Sequence, residues 1–298
     1  METTTRTLDV PGASLHYEVR GSGPVLLLIC GGIYDAAGYA GLAGLLADRY
    51  TVVTYDRRGN SRSPLAGPPE RQEIGVHADD ASRLLAAVTD APALVFGNSS
   101  GAQIALELAV RHPEQVRALV AHEPPLFGLL PDADHWESVV SNVERAYRDG
   151  GVGPAMGVFG AAMGMSGGDE PGEDAEAAEG AESAEGGESA DGAESAEAPG
   201  PEMLEMFARF EKNTDFFVGY EVPGFGRYVL DVEKLRAAPV QVVVAVGEKS
   251  AGEPPHRASL ALAEHLGRPA EAYPGDHGGF GTEAPAFAAA LSRTFTTS

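Results

Sequence analysis

Cysteine is almost missing from the chain. Among 298 residues there is one, Cys30. No intrachain disulfide can form, and a zinc site built from several thiolates is excluded. Positive charge is also scarce. Lys and Arg number 21 against 44 Asp and Glu, a net charge of −23. Such a surface repels phosphate, so neither nucleic acid nor anionic lipid is an expected partner. No apolar run approaches the roughly 18 residues of a membrane span. Met1–Val10 is polar and lacks the apolar core of a secretory signal. These features predict a soluble, cytoplasmic protein.

The scarcity of positive charge is sharpest in one place. No basic residue occurs between Arg148 and Arg209, and twelve acidic residues fall from Asp169 to Glu197. Removing that stretch alone moves the net charge from −23 to −11. The segment 166–201 has no aromatic residue and no Val, Ile or Leu. It cannot bury enough apolar surface to offset the entropy of ordering it, which predicts a disordered insertion. An acidic tract that binds a partner is the alternative. Its recurring Ala-Glu-Ser-Ala and Gly-Ala-Glu are low complexity and not a solenoid repeat, because no apolar face recurs.

Elsewhere apolar character is ample, at 43% of the chain. Short apolar runs alternate with helical spacing. Strands are predicted over Ala13–Arg20, Val25–Cys30, Tyr50–Tyr55, Leu94–Phe96, Arg117–His122, Val240–Val246 and Ala270–Tyr273. Helices are predicted over Tyr39–Asp48, Glu73–Thr89, Ser100–Arg111, Pro255–Leu266 and Ala284–Arg293. That alternation means an α/β protein with a mostly parallel sheet. From about Pro124 to Leu235 the strands stop and helical pieces take over, which reads as a cap inserted into the core.

One motif carries chemistry. Gly97-Asn98-Ser99-Ser100-Gly101 follows a strand and opens a helix, the setting in which Gly-x-Ser-x-Gly lifts a serine above a sheet edge. The helix presents its positive end and free N–H groups there. Ser99 is thus the candidate nucleophile. Its base must come from elsewhere, and Gly275-Asp276-His277-Gly278-Gly279 offers His277 on a glycine-flanked loop after the last strand. The other histidines sit in helical or peripheral stretches, except His122 at a strand end.

With Cys30-Gly31-Gly32 after the third strand and Tyr55-Asp56-Arg57-Arg58-Gly59-Asn60-Ser61-Arg62-Ser63 after the fourth, these motifs resemble the α/β-hydrolases of the single-domain-plus-cap kind. The resemblance implies an α/β-hydrolase fold: a mostly parallel twisted sheet flanked by helices, with an inserted helical cap. The core would comprise 1–123 and 236–298, and the cap region 124–235. It also implies an oxyanion hole at the backbone N–H groups of Gly32 and Ser100. Many members have His-Gly where this chain has Cys30-Gly31. That histidine is structural, so the change falls on packing.

The acid departs from the family pattern. An Asp is usual three residues after the glycine that ends the seventh strand. Here the run is Gly247-Glu248-Lys249-Ser250, and Ser250 cannot balance an imidazolium. Glu123, in His122-Glu123-Pro124-Pro125 after the sixth strand, is the favoured acid, because some members carry theirs at that point. The run also resembles that of the fungal zearalenone lactonases. Glu248 is the second candidate, and a Ser99–His277 dyad the third.

A serine nucleophile disfavours epoxide hydrolysis and dehalogenation, which on this fold need a carboxylate there. Ser, His and an acid beside an oxyanion hole perform acyl transfer. The expectation is hydrolysis of a small apolar carboxylic ester or lactone. No cofactor and no metal are expected, since no nucleotide-binding fingerprint follows a strand and the histidines lack ligand spacing. The apolar residues between Leu126 and Phe217 read mainly as packing of cap on core, with the remainder lining a small pocket. A non-catalytic small-molecule-binding protein, a carbon–carbon bond hydrolase and a cofactor-free peroxidase are the alternatives, because one fold hosts many chemistries. The composition of the acidic segment yields a first test. Deleting 168–200 should leave the melting temperature within a few degrees and the catalytic rate nearly unchanged, and a cooperative loss of fold on deletion would show the segment to be structural.

Overall fold

The computed structural model of the chain describes residues 3–164 and 201–296. The disorder expected for the acidic segment 166–201 falls outside the described residues up to 200. Its last residue, Pro201, opens a helix.

Eight strands form one sheet: β1 (Thr3–Val10), β2 (Ala13–Arg20), β3 (Val25–Ile29), β4 (Thr51–Tyr55), β5 (Ala93–Asn98), β6 (Val116–His122), β7 (Gln241–Gly247) and β8 (Glu271–Tyr273). Their order is β1-β2-β4-β3-β5-β6-β7-β8. β1 and β2 run antiparallel to their neighbours, and β4 through β8 pair in parallel. β1 was not among the expected strands. Its residues are nearly all exposed, so it lacks the alternation that marks a half-buried strand. It forms by pairing with β2 along its whole length, from Thr3↔Arg20 to Val10↔Ala13.

The central strands are buried on both faces, which is why they read as continuous apolar runs. Side chains alternate across the pleat. Leu27, Ile29, Val53 and Val95 pack on one side against α2 (Ile74–Val88) and α3 (Ser100–Arg111). Leu26, Leu28, Val52 and Phe96 pack on the other against α1 (Ala40–Leu46) and the C-terminal helix over Ala284–Thr296. The expected helix over Tyr39–Asp48 is shorter, at Ala40–Leu46, with a 3₁₀ turn at Ala36–Tyr39 before it and a turn from Ala47 after it.

Between β6 and β7 the chain builds the helical cap. Its helices are α4 (Ala133–Gly150), α5 (Val152–Ala162), α6 (Pro201–Phe216) and α7 (Val222–Phe225), and α8 (Val232–Ala237) follows, burying Leu235 in the main core. A π turn at Phe217–Glu221 joins α6 to α7. α4 buries Trp136, Val140 and Val143, spaced to share one face. The remaining helices are α9 (Pro254–Leu266), α10 (Gly279–Thr282) and α11 (Ala284–Thr296). Among the described residues no helix is long and apolar enough to cross a membrane.

The cap is fastened to the core through polar side chains. Glu221 and Arg57 are both fully buried and paired at 2.7 Å. Asn60 Nδ2 donates to the same carboxylate at 2.9 Å. Asn213 of α6 donates to Ile33 O and accepts from Ser61 N. Removing one member of a buried pair leaves a charge without its counterion. Glu221→Ala should therefore cost about 3–5 kcal/mol of stability, read from urea unfolding.

Candidate active site

The site is built at the carboxyl ends of four adjacent strands. β5, β6, β7 and β8 lie side by side in register, with Asn98 beside His122, His122 beside Ala245, and Gly247 beside Tyr273. The residue after β5 is Ser99 and the residue after β6 is Glu123. Ser250 and His277 lie on the loops after β7 and β8.

Ser99 sits on a strained turn. Its φ of 54° and ψ of −127° are uncommon for a residue with a side chain. The flanking glycines permit it. A side chain at Gly97 would run into the Gly101 carbonyl, and one at Gly101 into the Ile29 carbonyl. The Ser99 N–H donates to His122 O at 2.9 Å, tying the turn to the end of β6. Ser100, 4% exposed, begins α3, so its N–H is among those with no partner inside the helix.

Glu123 is fully buried and its φ of 50° also lies in the left-handed region. Its Oε2 lies 2.6 Å from His277 Nδ1. Its Oε1 accepts from Gly247 N at 2.9 Å and from the Ser250 hydroxyl. Burial alone would raise its pKa. The His277 hydrogen bond, the His122 and His277 rings and the Ser250 hydroxyl more than offset this, holding it at about 2. Glu248, the second candidate acid, is exposed. The chain thus has a serine where the family pattern puts an aspartate, and that serine is a donor to a carboxylate on the neighbouring strand.

With Nδ1 on Glu123, Nε2 is the nitrogen of His277 left for a nucleophile. The His277 loop is held toward β5 by Asn98, whose Nδ2 donates to His277 O at 3.0 Å. The same amide lies 3.0 Å from His122 Nδ1. His122 is fully buried, and burial lowers its pKa to about 3, so it is a neutral packing group and not a second base. Among the described residues none forms a hydrogen bond with Ser99 Oγ, so Ser99 and His277, which follow β5 and β8, are not joined by a closed bond. Catalytic contacts of this kind often tighten only when substrate binds.

The structure brings the Gly32 loop and Ser100, the two expected sources of oxyanion donors, together, but the Gly32 N–H is already bonded. Gly32 N–H donates to Ser100 Oγ at 2.9 Å. Arg57 grips the same loop from behind, with 2.5 Å to Cys30 O and 2.7 Å to Gly32 O. The spacing of the motifs gave no sign of that grip, because its partner Glu221 is 164 residues away. Cys30 itself is buried, and burial pushes its thiol up to about 12. It stays protonated and unreactive.

Over Ser99 and Ser100 lies a cavity of about 60 Å³. Phe127, Trp136, Phe159, Phe217 and Phe225 are among its walls, so much of it comes from the cap. At roughly 10–15 Å³ per water it has room for only a few, or for a small apolar group. Among the described residues no group of three or more His, Cys, Asp or Glu side chains could hold a metal ion.

Comparison with known proteins agrees with this architecture. The pattern of the alpha/beta hydrolase fold matches residues 24–170. The uncharacterized hydrolase YraK of Bacillus subtilis strain 168 is 37% identical over 286 residues, 94% of this chain and 92% of that one. A thermophilic esterase from Thermogutta terrifontis, solved with malate bound, superposes with a TM-score of 0.69 at 16% identity. That match covers 100% of this chain and 99% of the esterase. The carboxylesterase CesB of Bacillus subtilis gives 0.62 at 15% identity over 99% and 91% of the two chains. At such identities the solved structures speak for the fold alone. The chain belongs to the α/β-hydrolase family, and it is a hydrolase.

The low pKa of Glu123 sets a pH dependence. A carboxylate depressed from 4.5 to about 2 on folding stabilises the folded chain above about pH 4.5. That contribution is lost as the pH falls toward 2. Glu123→Gln should therefore narrow the gap between urea midpoints measured at pH 6 and pH 3, and an unchanged gap would mean that this carboxylate is not linked to folding.

Proposed function

We propose that the chain is a serine hydrolase that cleaves a small apolar carboxylic ester or lactone through Ser99, His277 and Glu123. The observation that carries this reading is the 2.6 Å bond between His277 and fully buried Glu123, which follows the strand next to the one that carries Ser99. His277 Nε2 takes the proton as Ser99 Oγ attacks the carbonyl carbon. Glu123 fixes the ring tautomer and stabilises the imidazolium that forms. The negative oxygen is received by the N–H groups of Gly32 and Ser100. His277 then gives its proton to the departing alkoxide, and an acyl group remains on Ser99. Water, activated by the same imidazole, releases the carboxylic acid and restores the serine. In a lactone the leaving oxygen stays tethered, so the product is one hydroxy acid.

The apolar walls of the cavity and its small volume support a short or compact apolar substrate. An aromatic-walled pocket above a strained serine favours turnover over simple binding, since binding alone has no use for strain of about 1–3 kcal/mol at a turn.

The test is a comparison of four proteins in single-turnover acylation and in fluorophosphonate labelling. Ser99→Ala should fold normally, resist labelling and lose kcat on the order of 10⁶-fold. Glu123→Gln should lose roughly 10²–10⁴-fold, the upper end being the loss seen when a triad Asp is neutralised. Glu248→Gln should lose less than about tenfold, as suits an exposed carboxylate away from the imidazole. Labelling of Ser99→Ala at the parent's rate would remove the nucleophile assignment. A crippled Glu248→Gln would move the acid to the loop after β7, and two unimpaired Gln variants would leave a Ser99–His277 dyad.

A further inference from the structure

Ser100 is placed for more than its backbone. Its side chain sits with Ser99 on the floor of the cavity and is 4% exposed. Its Oγ accepts the Gly32 N–H at 2.9 Å. Among the described residues no acceptor takes the Ser100 hydroxyl proton. The result is a buried hydroxyl whose lone pair is used and whose proton is unspent, one residue from the nucleophile.

We propose that the Ser100 hydroxyl is a third donor of the oxyanion hole, acting with the N–H groups of Gly32 and Ser100. The proposal rests on the reading of Ser99 as an acyl-transfer nucleophile. Two oxygens that both accept from one N–H, each at about 2.9 Å from the nitrogen, are held side by side on it. An oxyanion seated on Gly32 N–H therefore comes within reach of Ser100 Oγ. Accepting from Gly32 polarises the hydroxyl and makes it a stronger donor.

The Gly32 N–H cannot readily swing away to avoid this arrangement. Arg57 bonds the carbonyls on both sides of the Gly31-Gly32 pair, at Cys30 and Gly32. In the resting protein the hydroxyl oxygen covers Gly32 N–H. As the carbonyl becomes tetrahedral, its oxygen joins that donor and the hydroxyl proton turns toward it. The proton stays on Ser100 throughout. The only bonds made and broken are those of the substrate, Ser99 and His277.

A hydroxyl that merely fills the hole predicts the opposite sign, because removing it would clear the seat. The experiment compares the parent with Ser100→Ala and Ser100→Thr on p-nitrophenyl acetate, with fluorophosphonate labelling and melting temperature alongside. Ser100→Ala should lower kcat by about 10²-fold, as expected for one lost oxyanion donor, and leave KM within about twofold. Its labelling should slow in step, since the phosphoryl oxygen enters the same hole. Ser100→Thr keeps an O–H and should recover about tenfold or more of the loss. An unchanged or raised kcat in Ser100→Ala overturns the proposal. So does a loss that falls mainly on KM or follows a drop in melting temperature. A parent that is neither labelled nor active removes the hydrolytic reading itself, and this proposal with it.

Discussion

The buried pair between Arg57 and Glu221 holds the working parts together. Arg57 leaves the end of β4 and meets three things: a cap carboxylate, the Cys30 carbonyl and the Gly32 carbonyl. Two fully buried charges are kept by pairing with each other and by the bonds of Arg57's two terminal nitrogens, while Arg57 Nε and Asn60 Oδ1 are buried without a partner among the described residues. Glu221 takes Arg57 and Asn60, and Arg57 spends its remaining reach on the loop that carries Gly32. The cap and the loop that carries Gly32 are thereby set by one guanidinium. Its five fixed donors suit the task in a way a single ammonium could not match. Asn213 adds a second tether from α6 to the same loop, at Ile33.

The strained residues all lie around this arrangement. Ser61, Ser99 and Glu123 are the non-glycine residues with positive φ among those described. Each costs free energy in isolation. Each is held by bonds to neighbours: Ser61 by Asn213, Ser99 by the His122 carbonyl, and Glu123 by the Ala245 carbonyl and three side-chain or backbone donors. The parallel core strands beneath, buried on both faces, supply the rigidity against which such turns can be kept.

The proposed acid, Glu123, shows how the same fold can carry a carboxylate on a different strand. β6 and β7 are neighbours, so a carboxylate at the end of either can approach the same imidazole. Placing it on β6 frees the position after β7, and Ser250 there donates to Glu123. The carboxylate stands one strand over from where the family pattern expects it, and a hydrogen-bond donor stands at that position. That donor favours the ionised acid, as does the Gly247 N–H.

Much of this was legible in the sequence, for local reasons. Apolar runs of strand length, helical spacing and glycine-flanked turns are short-range signals, and they delivered the alternating core, the Ser99 turn and the His277 loop. Even Ser250, standing where the family pattern puts an aspartate, pointed to a carboxylate elsewhere in the chain. β1 was missed because an exposed polar strand carries no burial pattern and exists through its partner. What no local signal could carry was pairing across long stretches of chain. Glu123 with His277, Arg57 with Glu221, and Gly32 with Ser100 join residues far apart, and only the folded sheet and cap bring them within bonding distance. The sequence by itself determined which groups exist and what turns they occupy. The tertiary structure decided which of them meet, because a hydrogen bond depends on a few tenths of an ångström in space and not on separation along the chain.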